Sequence, residues 1–407
     1  MWGIDRLSSG ELANTRRRLR SSRVAVLSQA AAIDRRGRAV LDVLEELGVH
    51  PIRVFGPEHG FAGFAQAEEK VPRTGPEEGA DDGGPEWVSL YGETKESLSP
   101  KPEHFDGIDL LVIDLMDVGS RYYTYVWTAL LAARAAERAG VHTLVLDRPN
   151  PISGDPESVE GRPQEPGFTS FVGLEPLPIR HALTLGEILV HFFAEAGKPL
   201  GPEGALSVVT TRGWERLKTA SAWPRPFIAP SPNMPTVETA LVYPGGCLIE
   251  GTNLSEGRGT TQPFQTVGAP FLRARPLAEK LADAQLGGFI ARPHSFRPSF
   301  EKFAGQVCHG VMIHVTDPRS FRPVATYLTL LALAREQAPA ELQFRTEPYE
   351  FETDIPAFDL LTGSDAARRA LSEGASANDL IDLCARVDPV WRERVYEAEA
   401  AALAAQA

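Results

Sequence analysis

Polar side chains that could act as acids, bases or ligands follow short apolar runs in the first half of the chain. One run leads into FGPEHG, with Glu58 and His59, and the next leads to Asp114, Asp117 and Arg121. A carboxylic acid can protonate a departing alcohol, and a second carboxylate can assist a transition state with sugar-cation character. Glu58 is therefore the leading candidate for such an acid, with Asp114 and Asp117 as its partners. The alternative is that each carboxylate only caps a helix or fixes a turn.

Further polar residues are candidates for substrate binding. A fourth run ends at Arg148 and Asn150, and the segment 243–264 holds five glycines. The candidates of that glycine-rich segment are Glu250, Asn253, Glu256 and Arg258. Its glutamates would repel phosphate and it has no P-loop pattern, so sugar recognition is the preferred interpretation and an ordinary surface loop is the alternative. The arginines could bind a substrate carboxylate bidentately, or they could form structural ion pairs.

Motifs for cofactors and metals are absent or weak. No G-x-G-x-x-G follows the first apolar run, and no G-x-S-x-G occurs, so neither a dinucleotide nor a serine nucleophile is indicated. His181, Glu187 and His191 do not have the H-E-x-x-H spacing and fit an amphipathic helix. We therefore expect neither a cofactor nor a metal.

The elements that must position these residues can be predicted from periodicity. Apolar runs at 24–27, 52–55, 110–113 and 143–146 alternate with helical patterns at 37–47 and 127–140, which Gly48 and Gly140 close. This alternation predicts an α/β fold with a parallel sheet covered by helices. Ligands bind at the carboxyl ends of such strands, so the polar residues after each run should meet at one edge of the sheet.

A proline-rich segment indicates where the chain divides. Residues 223–235 contain five prolines, too many for a helix or a central strand. We place a domain boundary near residue 230, giving a sheet domain 1–230 and a smaller domain 231–407. The second domain should contain a strand at 307–315 and helices at 323–336, 364–373 and 377–387. The segment 70–101 is rich in Gly, Pro, Glu and Asp, which favours an exposed loop.

Charge and composition limit the partners and the compartment. A net charge of −13 and a pI near 5.3 argue against a nucleic acid or an anionic membrane. Three scattered cysteines indicate no disulfide framework. The chain begins without an apolar signal segment and has no run of about 18 apolar residues, so we expect a cytoplasmic protein, or a periplasmic or extracellular one if its natural start lies upstream.

Long stretches of the sequence resemble the exo-β-N-acetylmuramidase family of NamZ type. They lie between about residues 24 and 370 and include FGPEHGFAG, SLYG, GIDLLVIDLMDVGSRYYTYVWT, LVLDRPNPISG, SPNMPTVETALVYPGGCLIEGTNLSEGRGTTQPF and FDLLTGS. The resemblance implies a Rossmann-like first domain without a nucleotide, a smaller α+β second domain, and an active site in the cleft between them. It also implies release of N-acetylmuramic acid from the non-reducing ends of peptidoglycan fragments, within cell-wall turnover and recycling.

The resemblance also implies roles for particular residues. Glu58 matches the glutamate of the family's PEHG motif, which is proposed to be catalytic. His59, Asp114, Arg121, Tyr122 and the glutamates of EGTNLSEGRG fall in other signature segments. The chain departs from the family at Met116, where Gln is common, and at an acidic insertion at 76–85.

Several alternatives remain open at this level. The reaction could retain or invert the anomeric configuration, or the 2-acetamido group of the sugar could attack internally. The chain could instead be a non-catalytic muropeptide-binding protein or a hydrolase of another bond in wall fragments. The expected partner is a small carbohydrate, and the sequence does not indicate an oligomeric state.

Overall fold

The computed structural model describes residues 1–66, 69 and 84–407. The strands are β1 (Val24–Ser28), β2 (Arg53–Gly56), β3 (Glu86–Ser89), β4 (Leu110–Asp114), β5 (His142–Leu146), β6 (Leu206–Val209), β7 (Thr266–Ala269), β8 (Phe289–Phe296) and β9 (Cys308–Val315). The α-helices are α1 (Gly3–Ser9), α2 (Ala13–Ser21), α3 (Val40–Glu46), α4 (Tyr125–Arg138), α5 (Leu185–Glu195), α6 (Val237–Gly246), α7 (Ala274–Ala282), α8 (Pro323–Gln337), α9 (Ala357–Thr362), α10 (Ala366–Ser372), α11 (Ala377–Leu380) and α12 (Val390–Ala404).

Among the described residues, six strands form one parallel sheet in the order β3-β2-β1-β4-β5-β6. Every residue of β1, β4 and β5 is buried, as expected for central strands covered by helices on both faces. Chain order reverses between β1 and β4, so the carboxyl ends of these two strands flank the crevice where such sheets bind ligands. The predicted Rossmann-like fold class is confirmed.

The four predicted strands correspond to β1, β2, β4 and β5, and the two predicted helices of this domain to α3 and α4. Gly48 and Gly140 follow α3 and α4 with φ of 72° and 73°, the left-handed geometry that ends a helix. The edge strands β3 and β6 are short and were not predicted. The prediction of an exposed loop at 70–101 was wrong in part. Within its described part, 84–101, Glu86–Ser89 pairs with β2 as an edge strand. Residues 70–83 and most of the insertion 76–85 lie outside the described residues.

The second half of the chain contains a smaller antiparallel sheet in the order β7-β9-β8. The predicted strand at 307–315 and helix at 323–336 are confirmed as β9 and α8. The helix predicted at 364–373 is α10, and that at 377–387 is α11 continued by a π-helical turn, Ile381–Ala385. The smaller α+β domain is thus present as expected.

The proline-rich segment 223–235 forms no helix or strand. The division at residue 230 stays a prediction, because one apolar core is continuous across it. The last helix, α12, packs on α5, and the backbone beyond it pairs with Val208 of β6. Within the described part of the chain, no helix is long and apolar enough to cross a membrane.

Candidate active site

A cleft with about 520 Å³ of empty volume lies where the two halves of the chain meet. The first half contributes Glu58, His59 and Tyr122, which follow the sheet strands, and the second half contributes Glu250, Arg258 and Glu350. Six of the sequence-predicted site residues contact this cleft or its charged network, and the other six do not line it.

Glu58 occupies the turn after β2. His59 and Gly60 have φ of 66° and 76°, so the chain reverses sharply and directs the Glu58 side chain into the cleft wall with only 4% of its surface exposed. Its Oε2 accepts a hydrogen bond of 2.6 Å from Thr124 Oγ1, and its backbone carbonyl accepts one of 3.2 Å from Tyr125 Oη. The carboxylate is therefore held from one side, with Oε1 left for another partner.

His59 is oriented by the same turn. Its Nδ1 lies 2.8 Å from the carbonyl oxygen of Ala65, which can only accept, so Nδ1 carries the proton. A neutral His59 then presents an unprotonated Nε2. This atom could accept a hydrogen bond from a sugar hydroxyl.

Thr124 departs from the usual behaviour of a residue at a helix start. It precedes α4, yet its side chain makes no capping bond to the helix backbone and donates to Glu58 instead. Thr184, which precedes α5, caps its helix by accepting from the Glu187 N–H and also donates to Asp147 Oδ2 at 2.8 Å. The Thr124 side chain binds the Glu58 carboxylate and leaves its helix uncapped.

An aromatic wall is formed by tyrosines and one phenylalanine. Tyr243 lies 6.3 Å from Tyr122, 6.1 Å from Tyr123 and 4.8 Å from Phe264, measured between ring centroids. Burial raises the pKa of Tyr122 well above its usual value, so its hydroxyl stays neutral. No described residue accepts from or donates to that hydroxyl, which leaves it available to a ligand.

A charge network lies beside the aromatic wall, with the Arg258 guanidinium 5.1 Å from the centroid of the Phe264 ring. Arg258 donates to Glu250 Oε1 through Nη2 at 2.6 Å and Nε at 3.2 Å, and Tyr349 donates to Oε2 at 2.7 Å. Arg258 also contacts Glu256 at 3.4 Å, and Lys302 binds the other Glu256 oxygen at 3.0 Å. Burial alone would raise the pKa of Glu250, but Arg258 and Tyr349 outweigh it and lower that pKa. Glu250 therefore stays ionised and is unsuited to donate a proton.

Asp114 and Arg148 bind each other below the cleft. Asp114 is fully buried, and Arg148 donates to its two oxygens at 2.6 and 2.8 Å and to the carbonyl of Ile33 at 3.0 Å. Burial raises the pKa of Asp114, and Arg148 opposes this rise. Neither residue lines the cleft. The structure thus places the predicted pair in a structural ion pair that joins the ends of β4 and β5.

Asp117 lies closer to the cleft but behind its aromatic wall. Its Oδ2 accepts from the Gly119 N–H at 2.8 Å and lies 3.4 Å from His181 Nε2. His181 Nδ1 accepts from the Leu183 N–H, so the proton of a neutral His181 is on Nε2, facing Asp117. Burial raises the pKa of Tyr123, and the charge of Asp117 adds to that rise. Asp117 can therefore influence the cleft only through neighbouring residues such as Tyr123.

The remaining predicted ligands form backbone contacts. Arg121 donates to the carbonyls of Arg162, Leu177 and Leu361, and burial lowers its pKa to about 10. Asn150 binds the backbone of Leu183 and Ile152. Asn253 binds the backbone of Glu341 and Gln343. These three residues hold loops together and are not brought to the cleft surface.

Sequence reasoning missed several residues of the cleft: Thr124, Ser231, Asn233, Tyr243, Tyr349 and Glu350. Ser231 and Asn233 lie in the proline-rich segment, where rigid backbone beside polar residues was a usable signal. Glu350 has no such signal. Among the described residues, no group of His, Cys, Asp and Glu side chains is arranged to hold a metal ion.

Comparison with known families accounts for nearly the whole chain. The model of the NamZ exo-β-N-acetylmuramidase N-terminal domain matches residues 24–238, and that of the C-terminal domain matches residues 241–397. The chain belongs to the NamZ exo-β-N-acetylmuramidase family. A relative from Bacillus subtilis (strain 168), named peptidoglycan β-N-acetylmuramidase NamZ, is 38% identical over 381 residues, covering 93% of this chain and 86% of the relative.

Two solved structures of DUF1343 family proteins from Bacteroides fragilis NCTC 9343 share the fold. One superposes with a TM-score of 0.81 at 27% identity, covering 99% of this chain and 97% of its own. The other has a TM-score of 0.69 at 25% identity, covering 100% and 98%. The arrangement of both halves of the chain is therefore shared with these DUF1343 family proteins.

Thr124→Val should lower the catalytic rate without unfolding the protein. The change keeps the branched shape and removes only the hydroxyl that binds Glu58. Hydrogen bonds to charged groups contribute about 1.5–3 kcal/mol, which corresponds to a loss of roughly 10- to 100-fold in kcat/KM. Steady-state kinetics and thermal unfolding would measure the two effects.

Thr184→Val is the matched control, because it removes a hydroxyl that caps a helix and donates to the buried Asp147, and neither residue lines the cleft. It should destabilise the protein by about 2.5–4 kcal/mol, from the lost cap and the lost bond to a carboxylate, and leave kcat/KM nearly unchanged. Equal rates for Thr124→Val and the wild type would show that Thr124 does not position Glu58.

Proposed function

We propose that this protein hydrolyses the β-glycosidic bond of a terminal N-acetylmuramic acid residue in peptidoglycan fragments. The observation that carries the proposal is the buried Glu58 carboxylate, held by Thr124 in a cleft between the two halves of a NamZ-family chain. The B. subtilis relative is named for the same activity, which supports the assignment.

Glu58 is the proposed general acid. Thr124 fixes Oε2, so the proton would pass from Oε1 to the oxygen of the departing sugar as the bond to the anomeric carbon breaks. The surrounding tyrosines limit access of water to the carboxyl group, and a positioned acid of this kind contributes about 10²- to 10⁴-fold to the rate.

The lining of the cleft supports exo-acting cleavage. Residues from both halves of the chain form its walls, and three glutamates, an arginine and several aromatic side chains converge on a confined space. Such a space suits a terminal sugar better than the interior of a long polymer. We therefore infer that short fragments or chain ends are the substrate.

Arg258 is the proposed contact for the lactyl carboxylate of muramic acid. Of the three candidate arginines it alone lines the cleft, since Arg121 and Arg148 are occupied elsewhere. Glu250 binds Nε and Nη2 of Arg258, which leaves Nη1 for a substrate carboxylate. Tyr122 and His59 would supply hydrogen bonds to the sugar ring.

Asp117 and Asp114 have supporting roles in this proposal. Asp117 would keep the segment before Tyr122 and Tyr123 in place through Gly119 and His181. The Asp114–Arg148 pair would hold the two strand ends beneath it. Neither carboxylate is proposed to touch the sugar.

A chromogenic β-N-acetylmuramide should be hydrolysed without added metal or nucleotide, while the matching β-N-acetylglucosaminide, which lacks the lactyl group, should be a poor substrate. Release of the chromophore measures both. Tight binding of the muramide without turnover would identify a binding protein instead. Turnover of an amide or ester substrate, but of neither glycoside, would identify a hydrolase of another bond.

Glu58→Gln should show a loss that depends on the leaving group. With a disaccharide substrate the poor leaving group needs protonation, and kcat should fall by about 10²- to 10⁴-fold. With an activated aryl muramide, which leaves without a proton, the loss should be roughly 10-fold or less. Equal losses on both substrates would remove Glu58 from the role of acid.

We also propose that the reaction serves recycling of wall fragments in the cytoplasm. Cys247, Cys308 and Cys384 are free and buried, and a reducing compartment keeps thiols in this state. Fractionation of the native host should then recover the activity with cytoplasmic markers. Recovery from the periplasm or the culture medium would instead assign the protein to turnover outside the cell.

A further inference from the structure

The described residues that line the cleft include more acids than bases. Three of them are glutamates, Glu58, Glu250 and Glu350, and Arg258 is the one lysine or arginine among them. Arg258 is itself shared by two carboxylates, with Glu250 2.6 Å from Nη2 and Glu256 3.4 Å from Nε. One positive charge against two negative charges gives this group a net charge of −1. The lactyl carboxylate of muramic acid would be repelled unless another cation balanced the group.

Lys302 supplies a cation of this kind from outside the cleft lining. Its Nζ donates to Glu256 Oε2 at 3.0 Å, so Glu256 lies between Lys302 and Arg258. The same ammonium group donates to three backbone carbonyls of the glycine-rich segment, those of Ile249, Glu250 and Leu254, at 3.2, 3.4 and 3.1 Å. With Lys302 included, two cations balance the two carboxylates.

The charges of this group are close together and only partly screened by solvent. The side chain of Glu256 is 3% exposed, that of Arg258 13% and that of Lys302 22%. Water and salt screen such charges less than charges on the open surface. Burial would raise the pKa of the Glu250 carboxyl, but neighbouring groups lower it overall. Those groups are, in decreasing order of effect, Arg258, Tyr349 and Lys302.

The backbone on both sides of Lys302 has a conformation that side chains rarely adopt. Its neighbours Glu301 and Phe303 have φ of 63° and 59°, in the left-handed region. The Phe303 ring packs on Phe271, with ring centroids 6.2 Å apart. Strained backbone that the surroundings enforce is concentrated at functional sites, because the strain positions a group that acts there. The group that this strain positions is the Lys302 side chain.

The connection between β8 and β9, which carries Lys302, also holds the loop of Arg258. The N–H and the hydroxyl of Ser299 both donate to the carbonyl of Gly259 at 2.9 Å. Gly259 has a φ of 76°, and a Cβ at this position would come within 2.7 Å of the Phe300 backbone. The same connection therefore fixes the backbone beside Arg258 and supplies the charge that balances Glu256.

We propose that Lys302 determines the preference of the cleft for a substrate that bears a carboxylate. The inference rests on the proposed function, in which Arg258 binds the lactyl carboxylate of muramic acid. Lys302 does not line the cleft, so it is a positioning residue. It neutralises Glu256 and thereby leaves the charge of Arg258 for the substrate. Without it, the group around Arg258 would be negative and would disfavour an anionic sugar.

Lys302→Met tests the proposal with two chromogenic substrates of nearly the same shape, the β-N-acetylmuramide and its lactyl carboxamide. KM for the carboxylate substrate should rise by roughly 10- to 100-fold, as expected when a unit charge is lost about 5–10 Å from a bound charge in a partly buried site. KM for the carboxamide should change little, because this substrate carries no charge. The kcat values should also change little, since Glu58 is untouched.

Glu256→Gln in the Lys302→Met background separates charge balance from structure. It removes the negative charge that Lys302 balances, so KM for the carboxylate substrate should return towards the wild-type value. A structural role predicts no recovery, because the second substitution removes a further charged contact from the same loop. Glu256→Gln alone leaves an excess positive charge and should lower KM for the carboxylate substrate.

Lys280→Met is the matched control. It removes the same charge from an exposed ion pair with Glu336, and neither residue lines the cleft. Both KM values should stay at the wild-type level. Thermal unfolding checks that each variant folds, and Glu256→Gln alone still tests the charge balance if Lys302→Met does not fold.

An unchanged KM in Lys302→Met would overturn the inference, as would an equal rise for both substrates without recovery in the double variant. Equal KM values of the wild type for the carboxylate and the carboxamide would also overturn it, while hydrolysis itself would stand. A wild-type protein that hydrolyses no muramide would overturn the proposed function, and this inference with it.

Discussion

Charged side chains buried at the carboxyl edge of the parallel sheet need partners of opposite charge. The Asp114–Arg148 ion pair meets this requirement most directly. Both side chains are at most 2% exposed, and together they join the ends of β4 and β5. Removing one partner of such a pair typically costs about 3–5 kcal/mol, because the other charge is left buried and alone. The loop that carries Tyr122, Tyr123 and Thr124 into the cleft begins immediately after the end of β4. Its geometry therefore depends on the ion pair at that strand end, even though the pair does not reach the cleft.

The same requirement divides the polar residues of the site into two groups. Arg121 is bound by three carbonyls and Asn150 by the backbone of its neighbours, so both are occupied before any ligand arrives. The Glu58 carboxylate is bound through Oε2 only, and the Tyr122 hydroxyl has no hydrogen-bond partner among the described residues. Groups of the first kind fix the cleft in shape, and groups of the second kind can recognise or transform a substrate. Few of the charged residues near the carboxyl edge of the sheet are therefore left to bind or transform a substrate.

This division explains how far the sequence could lead. The alternation of apolar runs and helical patterns predicted the parallel sheet, and the polar residues after the strands predicted the correct edge of it. Asp114 and Glu58 cannot be told apart in the sequence, since each comes after an apolar run. Their roles differ because Asp114 is bound by Arg148 in the folded chain and Glu58 is not. The edge strands β3 and β6 follow segments rich in Gly, Pro and charged residues, so no apolar run stood out there as it did for β2, which is equally short. Glu350 could not be found from turn chemistry, because its turn lacks the Asn and Gly residues by which such turns are recognised.

The turn Tyr349–Glu352, in which Glu350 and Phe351 have φ of 46° and 67°, also bears on how the cleft is stabilised. Two residues with side chains in left-handed backbone cost about 1–3 kcal/mol each, and the protein must offset this elsewhere. The apolar core runs without interruption from the parallel sheet into the second half of the chain, and α12 returns to pack on α5. The halves are thus held by burial as well as by the contacts of Tyr91 with Glu350 and Phe351. A cleft fixed in this way needs little reorganisation when the bond breaks, and preorganised polar groups of this kind supply much of the rate enhancement of enzymes.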